Sequence, residues 1–285
     1  MMARTLIHNG AKAVYLLGPS VSELDSAIQS FSDPLRNKLI GCVCDVTSKT
    51  ALNDAVATIK SGHGYINLLV NNAGVPGPQQ PGYALAAAAA SGKLPTPSEY
   101  AKIFYEPDMQ DFGNAFEINT TGAFYTTLAF LPLLEEGNKR FPPGVSGTPS
   151  LKSHVLFTSS ASAITRTFAD KVPAYAASKA ATLHLMKNMS TYSAQCGWRI
   201  RMNAFLPSWF ATAATAGLPW THGRDGKKPH EEGGVTKDVS PAERVLGEED
   251  VAGAVLYLCS KAGDLVDGCV LIVDGGRVGV VPATY

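Results

Sequence analysis

Ile66-Asn67-Leu68-Leu69-Val70-Asn71-Asn72-Ala73-Gly74 is an apolar run that stops on two asparagines and a glycine. Its aliphatic residues are too continuous for a strand with one wet face, and Asn72 to Gly74 has the composition of a turn. Similar runs recur near 13–17, 39–44, 154–159, 199–206 and 269–273, with helical spacing between them. Strands alternating with helices predict an α/β fold: a doubly wound parallel sheet, covered by helices on both faces. No break in composition divides the chain, so residues 1–285 read as one Rossmann-like domain.

Outward from this frame, 111–134 and 174–196 read as two long helices, with Pro132 expected to kink or end the first. Residues 76–110, rich in Pro and Gly around an alanine run at 84–90, read as an inserted surface loop with one short helix. Residues 136–153 read as a second loop. Residues 208–247 follow the strand that delivers Pro207 and carry Trp209, Phe210, Trp220 and His222. Ligands of open parallel sheets bind beyond the carboxyl ends of the strands, so this segment is placed as a lid over substrate.

Composition excludes several classes of function. At 285 residues and 45% hydrophobic the chain can bury a full core, and its formal charge of zero offers nothing to a nucleic acid or an acidic membrane surface. Cys42, Cys44, Cys196, Cys259 and Cys269 are odd in number and follow no metal-ligand spacing, so they read as reduced structural thiols with no metal site. No apolar run reaches membrane-spanning length. The expected setting is a reducing compartment, the cytoplasm.

Chemistry concentrates in Pro173-Ala174-Tyr175-Ala176-Ala177-Ser178-Lys179. A Tyr and a Lys four apart lie on one helix face, where an ammonium can pull a phenol's pKa down from about 10 and make it a proton donor or acceptor. The spacing alone is cheap, since Tyr257 and Lys261 repeat it. That second pair has no Ser or Asn partner in its surroundings and reads as structural.

Around the first pair, Asp45-Val46, Asn71 to Gly74, Asn119 in Phe116 to Gly122, and Ser159-Ser160 precede it. Asn203 to Ser208, Thr212, Glu249 to Ala252 and Val273 to Gly276 follow. In this order the strings resemble the short-chain dehydrogenase/reductase family along most of the chain. The resemblance implies that Tyr175 is the general acid in ketone reduction and the base in alcohol oxidation. Lys179 would tune it and hold the nicotinamide ribose, Ser160 would bond the substrate oxygen, and Asn119 would seat a water that resupplies protons. Asp45 and Val46 would meet adenine, Asn72, Ala73 and Gly74 the adenosine ribose, and Pro207 and Thr212 the nicotinamide. Each also has a plain reading: Asp45 as a strand-end cap, Gly74 as a turn, Thr212 as a helix cap. Counting back about thirteen residues from the tyrosine, as the family does, selects Ser162; the strand-end motif selects Ser160, which is preferred. The family's helix pairs often pack against a second copy, so a homodimer or homotetramer is expected.

One family element is not found. The family opens with a strand, a Thr-Gly-x-x-x-Gly-x-Gly turn and a helix that carries the cofactor pyrophosphate. Here Ala3 to Gly10 read as the last turns of that helix and Ala13 to Leu17 as the second strand. By that alignment the first strand and the glycine-rich turn are missing, and Gly62-x-Gly64, which precedes a strand, does not replace them. Pro207-Ser208 also departs from the family's Pro-Gly. At the end of the second strand, Gly18-Pro19-Ser20 offers no carboxylate for a ribose hydroxyl, which favours NADP over NAD.

The leading reading is thus an NAD(P)-dependent oxidoreductase acting on a bulky ketone or secondary alcohol. The alternative is a degenerate member without dinucleotide, either performing acid/base chemistry as an isomerase, dehydratase or cyclase, or serving as a non-catalytic partner.

Overall fold

The computed structural model describes residues 1–31, 34–78, 92, 95–140, 151–166, 172–211, 215 and 218–284. It begins with helix α1 (Met2–His8), strand β1 (Val14–Gly18), α2 (Val21–Gln29), β2 (Leu39–Val43), α3 (Lys49–Gly62) and β3 (Leu68–Asn71). Next come α4 (Pro97–Tyr105), α5 (Met109–Phe116), a π-helical segment (Glu117–Gly122), α6 (Ala123–Arg140) and β4 (Ser153–Thr158). The chain closes with α7 (Pro173–Gln195), β5 (Ile200–Pro207), α8 (Glu248–Cys259) and β6 (Val270–Val273).

Among the described residues, the paired strands run parallel. They form two groups, β1 beside β2 and a four-stranded sheet in the order β3-β4-β5-β6. Period-two alternation sorts the β4 side chains into two cores. Val155 and Phe157 join the larger one with Leu52, Ile59, Phe130 and Met186, whereas Leu156 packs with Phe205, Val255 and Leu258. Both faces of the sheet are therefore covered, as the continuous apolar runs predict. The larger core also takes in Tyr15 and Leu17 of β1 together with Leu69 of β3, so the two strand groups share one interior.

Helix ends follow local chemistry. The hydroxyls of Ser20 and Ser48 accept from Glu23 N and Ala51 N at the starts of α2 and α3. The expected single helix from Asp111 to Leu134 is instead α5 and α6 joined by the π segment, which carries Asn119. Pro132 does not end α6, which continues to Arg140. The lost backbone bond is offset by a face on which Phe130, Leu133 and Leu134 are fully buried. Part of the expected inserted loop, 97–105, is α4; the alanine run at 84–90 lies outside the described residues, as do 141–150 of the second loop.

All five cysteines are free thiols, Cys42 and Cys44 buried and Cys196 exposed, and burial pushes Cys44 up to about 11 and Cys259 up to about 12. Among the described residues no His/Cys/Asp/Glu group is placed to hold a metal ion, and no helix is long and apolar enough to cross a membrane.

Candidate active site

The carboxyl ends of β3, β4 and β5 open into one cavity of about 1690 Å³, lined by Asn72–Gly74, Ser159–Ser160 and Pro207–Ser208 in turn. The amino-terminal turns of α7 add Tyr175 and Lys179 to its wall. Beyond the strand ends of an open parallel sheet is where ligands bind, and Ser160, Tyr175 and Lys179 line the cavity there, whereas Asn119 is outside its lining.

Lys179 dominates the electrostatics. It is 4% exposed, and its Nζ donates to the Thr158 carbonyl at 2.8 Å, which ties α7 to the end of β4. The same Nζ lies 5.7 Å from the centre of the Tyr175 ring. Burial lowers the ammonium's pKa from 10.5 to about 8, and no carboxylate contributes to the shift. An ammonium has three donors, and here one has a protein acceptor among the described residues. Two donors at the wall of a polar-rimmed cavity suit the hydroxyls of a ribose.

Asn119 is buried on the π segment and holds three neighbours. Its Oδ1 accepts from Val75 N at 2.8 Å, while Nδ2 donates to Val75 O and Ser178 Oγ, each at 2.9 Å. It thereby clamps the chain leaving β3 onto α7, one residue before Lys179. Both amide hydrogens are used in this clamp, so a water-holding role would rest on the remaining lone pair of Oδ1. Gly74 lies between the two groups: a Cβ there would stand 3.0 Å from Asn119 Oδ1 and 3.2 Å from Lys179 Nζ. A side chain at this position would push both out of place.

The serines divide their tasks. Ser159 Oγ donates to the Lys179 carbonyl at 2.8 Å and fixes α7, on the face opposite Ser160. Ser160 Oγ accepts from Ser162 N at 3.2 Å, which leaves its own hydroxyl hydrogen for a ligand oxygen. Both Ser160 and Ser162 line the cavity.

The expected cofactor contacts are only partly assembled. Val46, Asn72, Ala73, Gly74 and Pro207 line the cavity, and Thr212 lies outside the described residues. Asp45 is not in the lining. Its carboxylate accepts from Thr47 N at 2.9 Å and Thr47 Oγ1 at 2.8 Å, the strand-end cap that was its plain reading. The second Tyr/Lys pair is broken up: Tyr257 sits on α8, whereas Lys261 belongs to the separate turn 261–263.

Of the segment expected to form a lid, described residues between 208 and 220 border the cavity, and none of 221–247 does. Trp209, Phe210 and Trp220 line it, and the two indoles lie 5.4 Å apart. Arg277 was missed from the sequence. It is 7% exposed, lines the cavity, stacks 5.2 Å above Trp209 and donates to Val239 O at 2.9 Å. A charged residue just beyond the carboxyl end of β6, after Gly275-Gly276, was the available signal.

Known proteins resemble this chain along almost all of its length. The family pattern described as enoyl-(acyl carrier protein) reductase matches residues 1–277. The short-chain dehydrogenase/reductase SAT3 of Stachybotrys chartarum is 37% identical over 295 residues, which span all of both chains. Among solved structures, a gluconate 5-dehydrogenase from Burkholderia cenocepacia in complex with NADP and tartrate superposes with a TM-score of 0.70 at 22% identity, covering 98% of this chain and 90% of that one. A 3-ketoacyl-(acyl-carrier-protein) reductase from Brucella melitensis complexed with NADH gives 0.69 at 21% identity, covering 97% and 91%. At these identities the two structures share the fold.

Proposed function

Since the chain belongs to the short-chain dehydrogenase/reductase family, we propose that it is an NAD(P)-dependent oxidoreductase that interconverts a ketone and a secondary alcohol. The observation that carries this reading is the buried Lys179 ammonium, held beside Tyr175 and Ser160 at the wall of one cavity.

When bound, the nicotinamide supplies or accepts the hydride, and is itself oxidised as the ketone is reduced. The protein's task is to place the carbonyl and to manage its proton. Tyr175 gives its hydroxyl proton to the carbonyl oxygen as that oxygen becomes an alcohol. Ser160 donates a hydrogen bond to the same oxygen and keeps it within reach. Lys179 holds the ribose hydroxyls with its two remaining donors, and its Thr158 bond fixes where they sit. Asn119 and Ser159 act through α7: they hold the helix that carries Tyr175 and Lys179. Trp209, Phe210 and Trp220 give the substrate end an aromatic wall, suited to a bulky, partly aromatic ketone.

Cofactor preference goes to NADP. Gly18 to Ser20 present no carboxylate after β1, while the hydroxyls of Ser20 and Ser22 lie 2.8 Å apart at the start of α2. Hydroxyls accommodate a phosphate where a carboxylate would repel it. Turnover of aromatic ketones, followed by loss of reduced nicotinamide absorbance, is expected to be at least about tenfold better in kcat/KM with NADPH than with NADH. A preference for NADH would reverse the cofactor assignment.

A second reading has one observation in its favour: the cavity walls include no glycine-rich strand-to-helix turn among the described residues. Tyr175 would then serve cofactor-independent proton transfer. Product formed from a substrate in the absence of any nicotinamide would decide for it.

The expected self-association fits the exposed apolar side chains Met109, Phe112 and Leu128 on α5 and α6. Light scattering is expected to give the mass of a dimer or tetramer, and a monomer at micromolar concentration would contradict this.

A further inference from the structure

We propose that Arg277 is a carboxylate anchor at the substrate end of the cavity, and that the ketone reduced here is an aromatic one carrying a carboxylate remote from its carbonyl. This rests on the oxidoreductase reading and names the substrate class. Charge is the first observation. Among the described residues, the cavity lining includes Lys12, Lys179, Lys261 and Arg277, and no Asp or Glu. A cleft lined by one sign of charge draws ligands of the other. Two of these cations lie at the amino ends of the strands. Lys12 precedes β1, and Lys261 adjoins Gly263, whose carbonyl accepts from Arg201 at the start of β5 at 2.8 Å. Lys179 is assigned to the ribose, so Arg277 is the cation left for substrate at the carboxyl ends.

Position is the second observation. Arg277 follows β6, the edge of the sheet β3-β4-β5-β6. That edge is three strands from β3, on the order of 14 Å at the usual strand spacing, and the adenosine ribose is assigned to the residues that follow β3. Its guanidinium stacks 5.2 Å from the centre of the Trp209 ring, and Trp209 lies 5.4 Å from Trp220. Beyond Arg277 the chain returns to the catalytic serine: Arg166 N donates to Pro282 O and Thr284 N to Ile164 O, each at 2.7 Å. The turn that carries Arg277 thus joins the aromatic wall to the segment following Ser160.

The anchor is also built in advance. Asp274 brackets the turn, its Oδ1 accepting from Gly276 N at 3.0 Å and its Oδ2 from Val278 N at 2.7 Å. Arg277 Nη1 donates to Val239 O at 2.9 Å, and Ala242 N donates to Gly275 O at 3.1 Å. Glycine permits this close approach, since a Cβ on Gly275 would stand 2.6 Å from Ser240 Oγ. A planar guanidinium fixed at 7% exposure recognises a carboxylate through charge-assisted bonds, with little ordering cost on binding. The indoles take the substrate's ring. The carboxylate is held and not transformed: the carbonyl carbon takes hydride from the reduced nicotinamide, and its oxygen takes the Tyr175 proton.

The probes are para-acetylbenzoate and its methyl ester, which share ring and ketone and differ in charge. With NADPH, parental kcat/KM is expected to be at least about tenfold higher for the acid. Arg277→Met is expected to lower the acid-to-ester ratio by at least about tenfold, mainly through KM. Arg277→Lys, which keeps a charge without the planar fork, falls between. Binding of the acid is followed separately, without turnover, by quenching of tryptophan emission. Saturable binding that weakens by at least about tenfold in Arg277→Met is expected. Equal parental rates on acid and ester would overturn the anchor, as would equal losses on both probes in Arg277→Met, or no saturable binding of the acid by the parent. A fall of the same size in NADPH affinity would assign Arg277 to the cofactor and also overturn it. Should the Met variant fail to fold, the parental preference and Arg277→Lys still decide. Turnover without discrimination leaves the oxidoreductase reading standing, whereas Arg277-dependent binding of the acid without turnover leaves the anchor standing and counts against that reading.

Discussion

Tyr175→Phe lowers kcat/KM for ketone reduction by about 10³-fold while the thermal midpoint stays within a degree or two of the parent. The substitution keeps the ring that packs at the cavity wall and removes the hydroxyl that transfers the proton. A positioned acid or base is worth roughly 10² to 10⁴ in rate, about 3 to 5 kcal/mol of barrier. Cofactor affinity is expected to change little, because the ribose is assigned to Lys179. A Phe variant that turns over at the parental rate would remove Tyr175 from the chemistry. One that unfolds would leave the rate uninterpretable, which is why the thermal midpoint is measured alongside.

Lys179→Met has opposite effects on activity and stability. Turnover is expected to fall by at least about 10²-fold, through loss of the ribose contact and of the charge beside Tyr175. Stability is expected to rise. Burial holds the ammonium's pKa at about 8 against 10.5 unfolded, so keeping it charged at pH 7 costs the fold about 3 kcal/mol. Methionine fills the same space without charge and leaves the Thr158 carbonyl short of a donor, which returns about 1 kcal/mol of that gain. A net increase of about 1–2 kcal/mol at pH 7 is expected from urea unfolding. The sign follows from the depressed pKa: between about pH 8 and 10.5 the unfolded chain binds the extra proton, so parental stability rises with pH across that window and the variant's advantage shrinks. Parental kcat/KM for reduction is expected to fall as pH rises through about 8, where the ammonium is lost. A destabilised Met variant with an unchanged pH profile would contradict the assigned state of Lys179.

Much of this arrangement was legible because it depends on short-range patterns. Buried parallel strands are apolar runs, and all six strands lie within about two residues of where those runs placed them. Tyr175 and Lys179 share a helix face by periodicity alone. What escaped depends on contacts distant in sequence. The π segment exists around Asn119, whose bonds reach Val75 and Ser178, and no local spacing encodes it. The Thr158 anchor of Lys179 and the placement of Arg277 over Trp209 are likewise tertiary. Asp45 has a local signature too: its carboxylate caps Thr47, two residues on. Helix α4 was a readable miss, since Thr96-Pro97-Ser98-Glu99 forms a capping box with proline at the first helical position. It was obscured by the Pro- and Gly-rich residues before it.

The most direct test of the central claim is a titration with NADPH that excites tryptophan and records nicotinamide emission. Trp209 and Trp220 line the cavity, so a nicotinamide seated between Lys179 and the lid lies within range of energy transfer. A saturable signal that Tyr175→Phe retains and Lys179→Met abolishes is predicted. A well-folded parent chain that shows no saturable signal would contradict the reading of this cavity as a nicotinamide site.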